Sequence, residues 1–61
     1  MYRLKLVNDD SDSPFFFVSA GEEATKNEQD ALLFDDFYRA QARADRLLPM
    51  FREFEIRVEV A

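Results

Sequence analysis

The sequence predicts a single α+β domain over residues 1–61, in which one long helix covers a three-stranded, mainly antiparallel sheet in the order β-β-α-β. Three observations predict this class. Apolar and charged residues alternate near both ends of the chain, an apolar stripe of helical period fills the middle, and turn formers separate the segments. One helix can cover only one face of such a sheet. We expect the first strand to lie in the middle, antiparallel to both neighbours.

A hairpin is predicted at the start of the chain. Residues 2–7 alternate between apolar and basic side chains, which is typical of a half-buried strand. Turn formers fill residues 8–14, and the strand formers Phe-Phe-Phe-Val follow at residues 15–18. Two short strands at this spacing predict a hairpin with a loop of about seven residues, which is longer than most.

A long amphipathic helix is predicted over residues 26–48. Thr25 and Glu28 have the spacing of a capping box at its start, and Pro49 ends it because proline lacks the backbone N–H. The apolar stripe on one face consists of Leu33, Phe37, Ala40, Ala44 and Leu47. A second row beside that stripe consists of Phe34, Tyr38, Gln41 and Leu48.

The last strand has the clearest alternation in the chain. Residues 53–60 place charged side chains at odd positions and apolar ones at even positions. We expect Phe54, Ile56 and Val58 to pack under the helix.

The composition argues against an enzyme. The chain has no Cys and no His, which excludes disulfides, zinc fingers and iron–sulfur sites and removes the commonest general base. Its single Gly excludes a glycine-rich phosphate loop. Asp10, Ser11 and Asp12 begin like a calcium loop, but Phe15 and Gly21 stand where that loop needs Gly and Glu. We therefore predict no catalytic residue, no metal and no cofactor.

The hydropathy of the chain predicts no membrane partner. No apolar run approaches the ~18 residues that span a membrane, and the short basic start is too brief for a signal peptide. The absence of Cys agrees with a reducing compartment, and we expect a cytoplasmic location.

Charge is distributed unevenly along the chain. The formal net charge is -5, and residues 8–36 contain nine acids against one base. In one interpretation these acids stabilise turns and the start of a helix, and they keep the protein soluble. In the other they form a negative surface on which carboxylates stand where phosphates stand in DNA, so that a basic DNA-binding protein is steered onto it. Direct binding to nucleic acid is not expected, because its phosphates would be repelled.

Aromatic residues in the second strand predict a homodimer. Phe15 and Phe17 face one side of the strand and Phe16 faces the other, so one helix cannot cover all three. A chain of 61 residues also has a small core, and such chains often gain stability from a second subunit. We expect Phe16 and Phe34 at the dimer interface. The alternatives are a small cluster closed by loops, or a pocket that holds an apolar loop of a partner.

The order of features resembles a family of phage inhibitors. An opening strand, an acidic turn at Asp9 and Asp10, an aromatic strand, a helix with Asp36 and Phe37, and a charged last strand resemble the small dimeric uracil-DNA glycosylase inhibitors of Bacillus phages. That resemblance implies an acidic dimer that mimics DNA, contacts the glycosylase's DNA-binding groove and encloses an apolar loop of the enzyme. It also implies that Asp36 stands for a phosphate and that Phe37 lies near the interface. Tyr38 departs from the family, which has an acid there.

The expected function is that of a phage-type inhibitor of a host DNA-binding enzyme, acting by acidic DNA mimicry, with uracil-DNA glycosylase as the expected target. The alternative is a small non-enzymatic interaction or assembly module, for example a phage inhibitor of RNA polymerase, whose acidic surface only keeps it soluble. The partner is a protein in both cases, and in the first it is a basic DNA-binding protein. The predicted partner-binding residues are Glu28, Asp30, Asp35, Asp36, Phe37 and Tyr38.

Overall fold

The computed structural model describes residues 1–8 and 15–61, which form a four-stranded antiparallel sheet and one α-helix. The α+β class is therefore confirmed, whereas the predicted number of strands and the predicted start of the helix are wrong. The predicted hairpin loop, with Asp9, Asp10 and Asp12, lies outside the described residues. The strands are β1 (Tyr2–Val7), β2 (Phe16–Val18), β3 (Ala24–Thr25) and β4 (Glu55–Val60), and the helix α1 is Phe37–Leu47.

β1 lies between β2 and β4 in the sheet, as predicted. The strand order is β3-β2-β1-β4, and β1 runs antiparallel to both of its neighbours. Lys5 lies opposite Phe17 of β2, and Leu4 lies opposite Val58 of β4. The additional strand β3 has only two residues, too few for a period-two pattern to indicate it.

The helix begins at Phe37 rather than at residue 26, because the segment before it pairs with the sheet. The backbone N–H and C=O of Phe34 bind those of Tyr2, both at 2.8 Å. Leu33 fits the helical stripe and Phe34 fits the row beside it, but neither residue is helical here, and Phe34 forms a β-bridge with Tyr2. Long-range backbone pairing therefore overrides the local helical periodicity.

The predicted capping box is also wrong, whereas the end of the helix is confirmed. Thr25 lies in β3, and its Oγ1 accepts a hydrogen bond from the N–H of Asn27 at 3.1 Å. Asn27 caps a short 3-10 helix, Glu28–Asp30, instead of the long helix. α1 ends at Leu47, close to Pro49 as expected.

The core lies between α1 and the sheet. Ala40 and Ala44 face β1 and β4, and their small side chains let the helix approach the strands closely. Phe54, Ile56 and Val58 pack against the same core, which confirms the predicted orientation of the last strand. The buried residues of this core are Leu4, Leu6, Val18, Ala40, Ala44 and Leu47.

The second face of the sheet is covered by side chains of the chain itself. Phe17 lies on this face, opposite Lys5, yet only 4% of it is exposed. The guanidinium of Arg3 lies 4.5 Å from the centre of its ring, and the ring of Phe15 packs against it edge to face. Phe17 therefore needs no second subunit to bury it.

Arg3 is held over Phe17 by two carboxylates. Its Nε donates to Glu59 of β4 at 2.7 Å, and its Nη1 forms an ion pair with Glu28 of the 3-10 helix. The hydrogen bond to Glu28, and to a smaller extent the one to Glu59, raises the pKa of the Arg3 guanidinium above its usual value. Lys5 also pairs with Glu59, at 3.9 Å. This network joins β1, β4 and the 3-10 helix across the second face of the sheet, the face opposite α1.

Leu47→Ala tests the core between α1 and the sheet. Leu47 is fully buried, so removing its side chain leaves a cavity, and we expect the free energy of unfolding to fall by about 2–5 kcal/mol. Leu33→Ala is the matched control; that leucine is partly exposed, so the loss should be much smaller. Urea denaturation followed by circular dichroism measures both values. Equal losses would contradict the assigned core.

Candidate functional site

Three aromatic side chains meet near the start of α1 and form what we call the aromatic patch: Tyr2, Phe37 and Tyr38. The rings of Tyr2 and Phe37, and those of Phe37 and Tyr38, pack edge to face with ring centres 5.8 Å apart. Tyr38 is 80% exposed and Phe37 is 42% exposed. Because the described residues leave this aromatic surface open to solvent, it is the strongest candidate for contact with another molecule.

Phe37 belongs to this patch because of where the helix begins. The helical stripe predicts Phe37 in the core, but only Ala40, Ala44 and Leu47 of that stripe are buried. As the first residue of α1, Phe37 lies over Tyr2, near the end of the sheet, instead of under the helix. Its partial exposure follows from that position.

Two acids precede the aromatic rings in the chain. Asp36 is the N-cap of α1, and its Oδ1 accepts a hydrogen bond from the N–H of Tyr38 at 2.7 Å. Asp35 is exposed, and its carboxylate has no hydrogen bond or ion pair with any residue in 1–8 or 15–61. The predicted residues from Asp35 to Tyr38 therefore form one contiguous site, in which Asp36 also has a structural role.

The two other predicted acids lie on the 3-10 helix. Glu28 pairs with Arg3, and Arg3 points to the face of the sheet opposite Tyr2. The carboxylate of Glu28 therefore stabilises the second face of the sheet, opposite α1, and lies away from the aromatic patch. Asp30 is exposed and has no side-chain partner in the part of the chain that the structure describes. The charges of Asp30 and Asp35 are thus more available to a partner than those of Glu28 and Asp36.

The predicted dimer residues Phe16 and Phe34 pack against the core of their own chain. The ring of Phe16 meets that of Phe54 edge to face, with ring centres 5.9 Å apart. Phe34 pairs its backbone with β1, and Cζ of Arg43 lies 5.9 Å from the centre of its ring. Both residues are half-buried, and their role in a dimer stays a prediction.

An arginine row on α1 is a feature that the sequence patterns did not single out. Arg39, Arg43 and Arg46 line an open groove of about 400 Å³ together with Phe34. The carboxylate of Glu22 partly neutralises this row, since it lies 3.6 Å from Arg43 and 3.7 Å from Arg46. Their spacing of four and three residues is visible in the sequence, but it equally fits bases that stabilise the end of a helix. The acidic chain thus carries a local basic surface.

Glu22 reaches the arginine row from a strained turn. Its φ of 61° lies in the left-handed region, which non-glycine residues rarely adopt. Its N–H donates to the carbonyl of Ser19 at 2.9 Å, and the N–H of Ser19 donates to the carbonyl of Glu23 at 2.8 Å. Oε2 of Glu22 is buried and has no hydrogen bond within the described residues. The ion pairs with Arg43 and Arg46 compensate part of the cost of burying this oxygen.

No protein-family model, curated protein or solved structure matches this chain. Within residues 1–8 and 15–61, no three acidic side chains are placed to bind a metal ion together. The helices of those same segments lack the length and apolar composition that crossing a membrane requires.

Asp36→Ala separates the capping role of this acid from the charge of its neighbour. The N-cap hydrogen bond to Tyr38 is lost, so we expect the free energy of unfolding to fall by about 0.5–2 kcal/mol. Asp35→Ala removes the same charge from an exposed position and should change stability by no more than about 0.5 kcal/mol. Asp36→Asn keeps the cap and should behave like the parent. Thermal melting compares the three variants, and equal midpoints for Asp35→Ala and Asp36→Ala would contradict the cap.

Proposed function

We propose that this chain is a non-enzymatic binding protein that attaches to a partner protein through the aromatic patch and Asp35. The observation that carries this proposal is the exposure of Tyr38 beside Phe37, on a helix whose opposite side is anchored in the core. Tyrosine is among the residues that contribute most to binding at protein interfaces. Because α1 fixes the backbone of both residues and each ring contacts a neighbouring ring, less conformational entropy is lost on binding than in a flexible loop.

We propose further that the partner is a basic DNA-binding enzyme of a host cell, and that the chain inhibits it in the cytoplasm by occupying its DNA-binding surface, as a phage-type DNA mimic. The net charge of -5 supports this, because it attracts a positive surface over a distance. Asp35 is exposed and precedes Phe37 by two residues in the chain, so a negative charge and an aromatic surface belong to the same short segment, as phosphate and base do in a nucleotide. Uracil-DNA glycosylase is the first target to test.

A second candidate function is a plain interaction or assembly module, of which an inhibitor of RNA polymerase is one example. The observation that favours it is the internal pairing of acids, since Glu22, Glu28 and Glu59 each pair with arginines of the same chain. Asp36 is used as a cap. These carboxylates serve the fold, which leaves fewer to imitate a row of phosphates. In this case the aromatic patch binds alone, and salt affects the affinity little.

Purified uracil-DNA glycosylase, with uracil-containing duplex DNA as competitor, tests the mimicry proposal. We expect the chain to bind the enzyme, to displace the DNA, and to bind more weakly as salt rises. Absence of binding would reject this target, and a pull-down from bacterial lysate would then supply another protein for the same competition. A bound protein that DNA does not displace would contradict mimicry and favour the second candidate.

Removing the charge of Asp35 or of Glu53 tests whether Asp35 acts as a local substitute for a phosphate or only adds to the net charge. Asp35→Asn and Glu53→Gln each remove one negative charge from an exposed residue, and Glu53 lies outside the proposed site. If Asp35 stands for a phosphate, Asp35→Asn should slow association and flatten the salt dependence more than Glu53→Gln does. Binding kinetics at two salt concentrations give both values. Equal effects of the two variants would mean that only net charge matters.

Tyr38→Ala tests the aromatic patch against the protein that the chain binds. We expect the affinity to fall at least about tenfold, because truncating an aromatic anchor at an interface typically costs about 2 kcal/mol or more, and about 1.4 kcal/mol is a factor of ten. The melting temperature should hardly change, since the side chain is exposed. Met50→Ala is the control, because Met50 is an exposed apolar residue beyond the end of α1, and it should bind normally. A partner that binds Tyr38→Ala as tightly as the parent would reject the patch as the site.

A further inference from the structure

The outer edge of β4 has no partner strand among the described residues. β4 is the last strand in the sheet order, and β1 pairs with its inner edge along all 6 residues. Proteins usually shorten, bend or interrupt such an edge, because its free backbone groups can pair with another chain. β4 contains neither Pro nor Gly, whereas β3 at the opposite edge has only 2 residues. β4 is therefore a long and regular edge strand.

The direction of the backbone groups along β4 follows from the hydrogen bonds around β1. The N–H of Ala61 donates to the carbonyl of Met1 at 2.9 Å, and the backbone groups of Tyr2 bind Phe34 rather than Val60. Hydrogen-bonded and non-hydrogen-bonded pairs alternate along antiparallel strands. The odd residues of β4 thus turn their backbone groups toward β1, and the even residues turn theirs outward. The outward residues are Ile56, Val58 and Val60.

We propose that β4 pairs antiparallel with β4 of a second copy of this chain, with Val58 opposite Val58 at the two-fold axis. The four strands of each copy then form one continuous sheet. Ile56 lies opposite Val60 of the second copy, and the outward groups exchange roughly six backbone hydrogen bonds. Val60, which is 73% exposed in the single chain, gains an apolar neighbour.

The charges of β4, together with the length of strand that overlaps, favour this register and a second copy as the occupant. With Val58 at the axis, Arg57 of each copy lies opposite Glu59 of the other, at positions where facing side chains come closest. Moving the axis to Arg57 sets arginine against arginine and Glu55 against Glu59. Moving it to Glu59 sets glutamate against glutamate. Moving it to Ile56 sets Arg57 against Glu55, which is also complementary, but only residues 55–57 of the two strands then overlap and fewer backbone hydrogen bonds form. Since facing like charges are destabilising, the strand is complementary to itself with Val58 at the axis.

The side of α1 that faces this edge also favours a second copy. Arg43 reaches Glu22 on the β2 side of the sheet, so the opposite side of the helix faces the edge of β4. Because α1 lies over β1 and β4 and strands are spaced by about 4.8 Å, the two helix axes would lie roughly 10 Å apart, where helices pack. The exposed residues on that side are Gln41, Asp45 and Leu48.

Sedimentation equilibrium with charge-swapped variants tests this dimer, which does not rest on the proposed function. At micromolar concentration the parent should sediment at twice the 7.2 kDa mass of one chain. Arg57→Glu and Glu59→Arg should each weaken the dimer at least about tenfold, because both cross-strand pairs become repulsive. An equal mixture of the two variants should dimerise again, since every facing pair is then opposite in charge. Arg52→Glu, an exposed arginine outside the strand, is the control for net charge and should dimerise normally.

Val60→Pro keeps the test decisive if Glu59→Arg disturbs the fold, because Glu59 also binds Arg3. The proline removes an outward N–H at an exposed edge position and leaves the bonds to β1 intact, so it should weaken the dimer at least about tenfold without lowering the melting temperature. A parent chain that is monomeric at all concentrations would overturn the proposal. So would a dimer that Arg57→Glu and Val60→Pro leave intact, or one that Arg52→Glu weakens equally.

Discussion

The sheet has two faces, but the described part of the chain offers a single α-helix, of 11 residues, to cover them. α1 covers one face. On the other, the guanidinium of Arg3 lies 4.5 Å from the centre of the Phe17 ring while its N–H groups bind two carboxylates. Only a guanidinium combines a planar surface for stacking with donors at its edge, so lysine is no substitute here. Glu28 and Glu59 are therefore part of the fold before they are part of any binding surface.

This constraint explains which parts of the fold are visible in the sequence. β1 and β4 alternate because one side of each faces the core and the other faces the network of Arg3, so their period-two patterns predict both strands and their shared face. The first residue of α1 cannot be predicted from the pattern, because Leu33 fits the helical stripe as well as Ala40 does and Phe34 fits the row beside it. What excludes them from the helix is backbone pairing of Phe34 with Tyr2, a contact distant in sequence that no local pattern contains.

In the candidate site, too, some features can be predicted from local sequence and others depend on contacts between distant residues. Asp35 to Tyr38 were predicted together and lie together, because contiguous residues remain neighbours wherever the helix starts. The exposure of Phe37 and the capping role of Asp36 depend on the first residue of α1, so they require the structure. Glu28 was predicted as a partner-binding acid, yet its ion pair with Arg3 joins segments far apart in the chain. A count of acids along a sequence cannot separate charges that the fold uses from charges that it leaves free.

The aromatic patch and the open edge of β4 meet near one end of the sheet. Tyr2 of the patch lies opposite Val60, and Tyr38 lies about one turn before Gln41 in α1. If both proposed binding events occur and are coupled, each changes the binding free energy of the other by the same amount. If a second copy covers Tyr38, dimer and partner compete, and a chain kept monomeric binds the partner more tightly. If Tyr38 stays open, the two-fold axis sets two patches on one face of the joined sheet, and a partner with two sites gains affinity from the dimer. The sign of that change in affinity therefore shows whether dimerisation inhibits binding of the partner or promotes it.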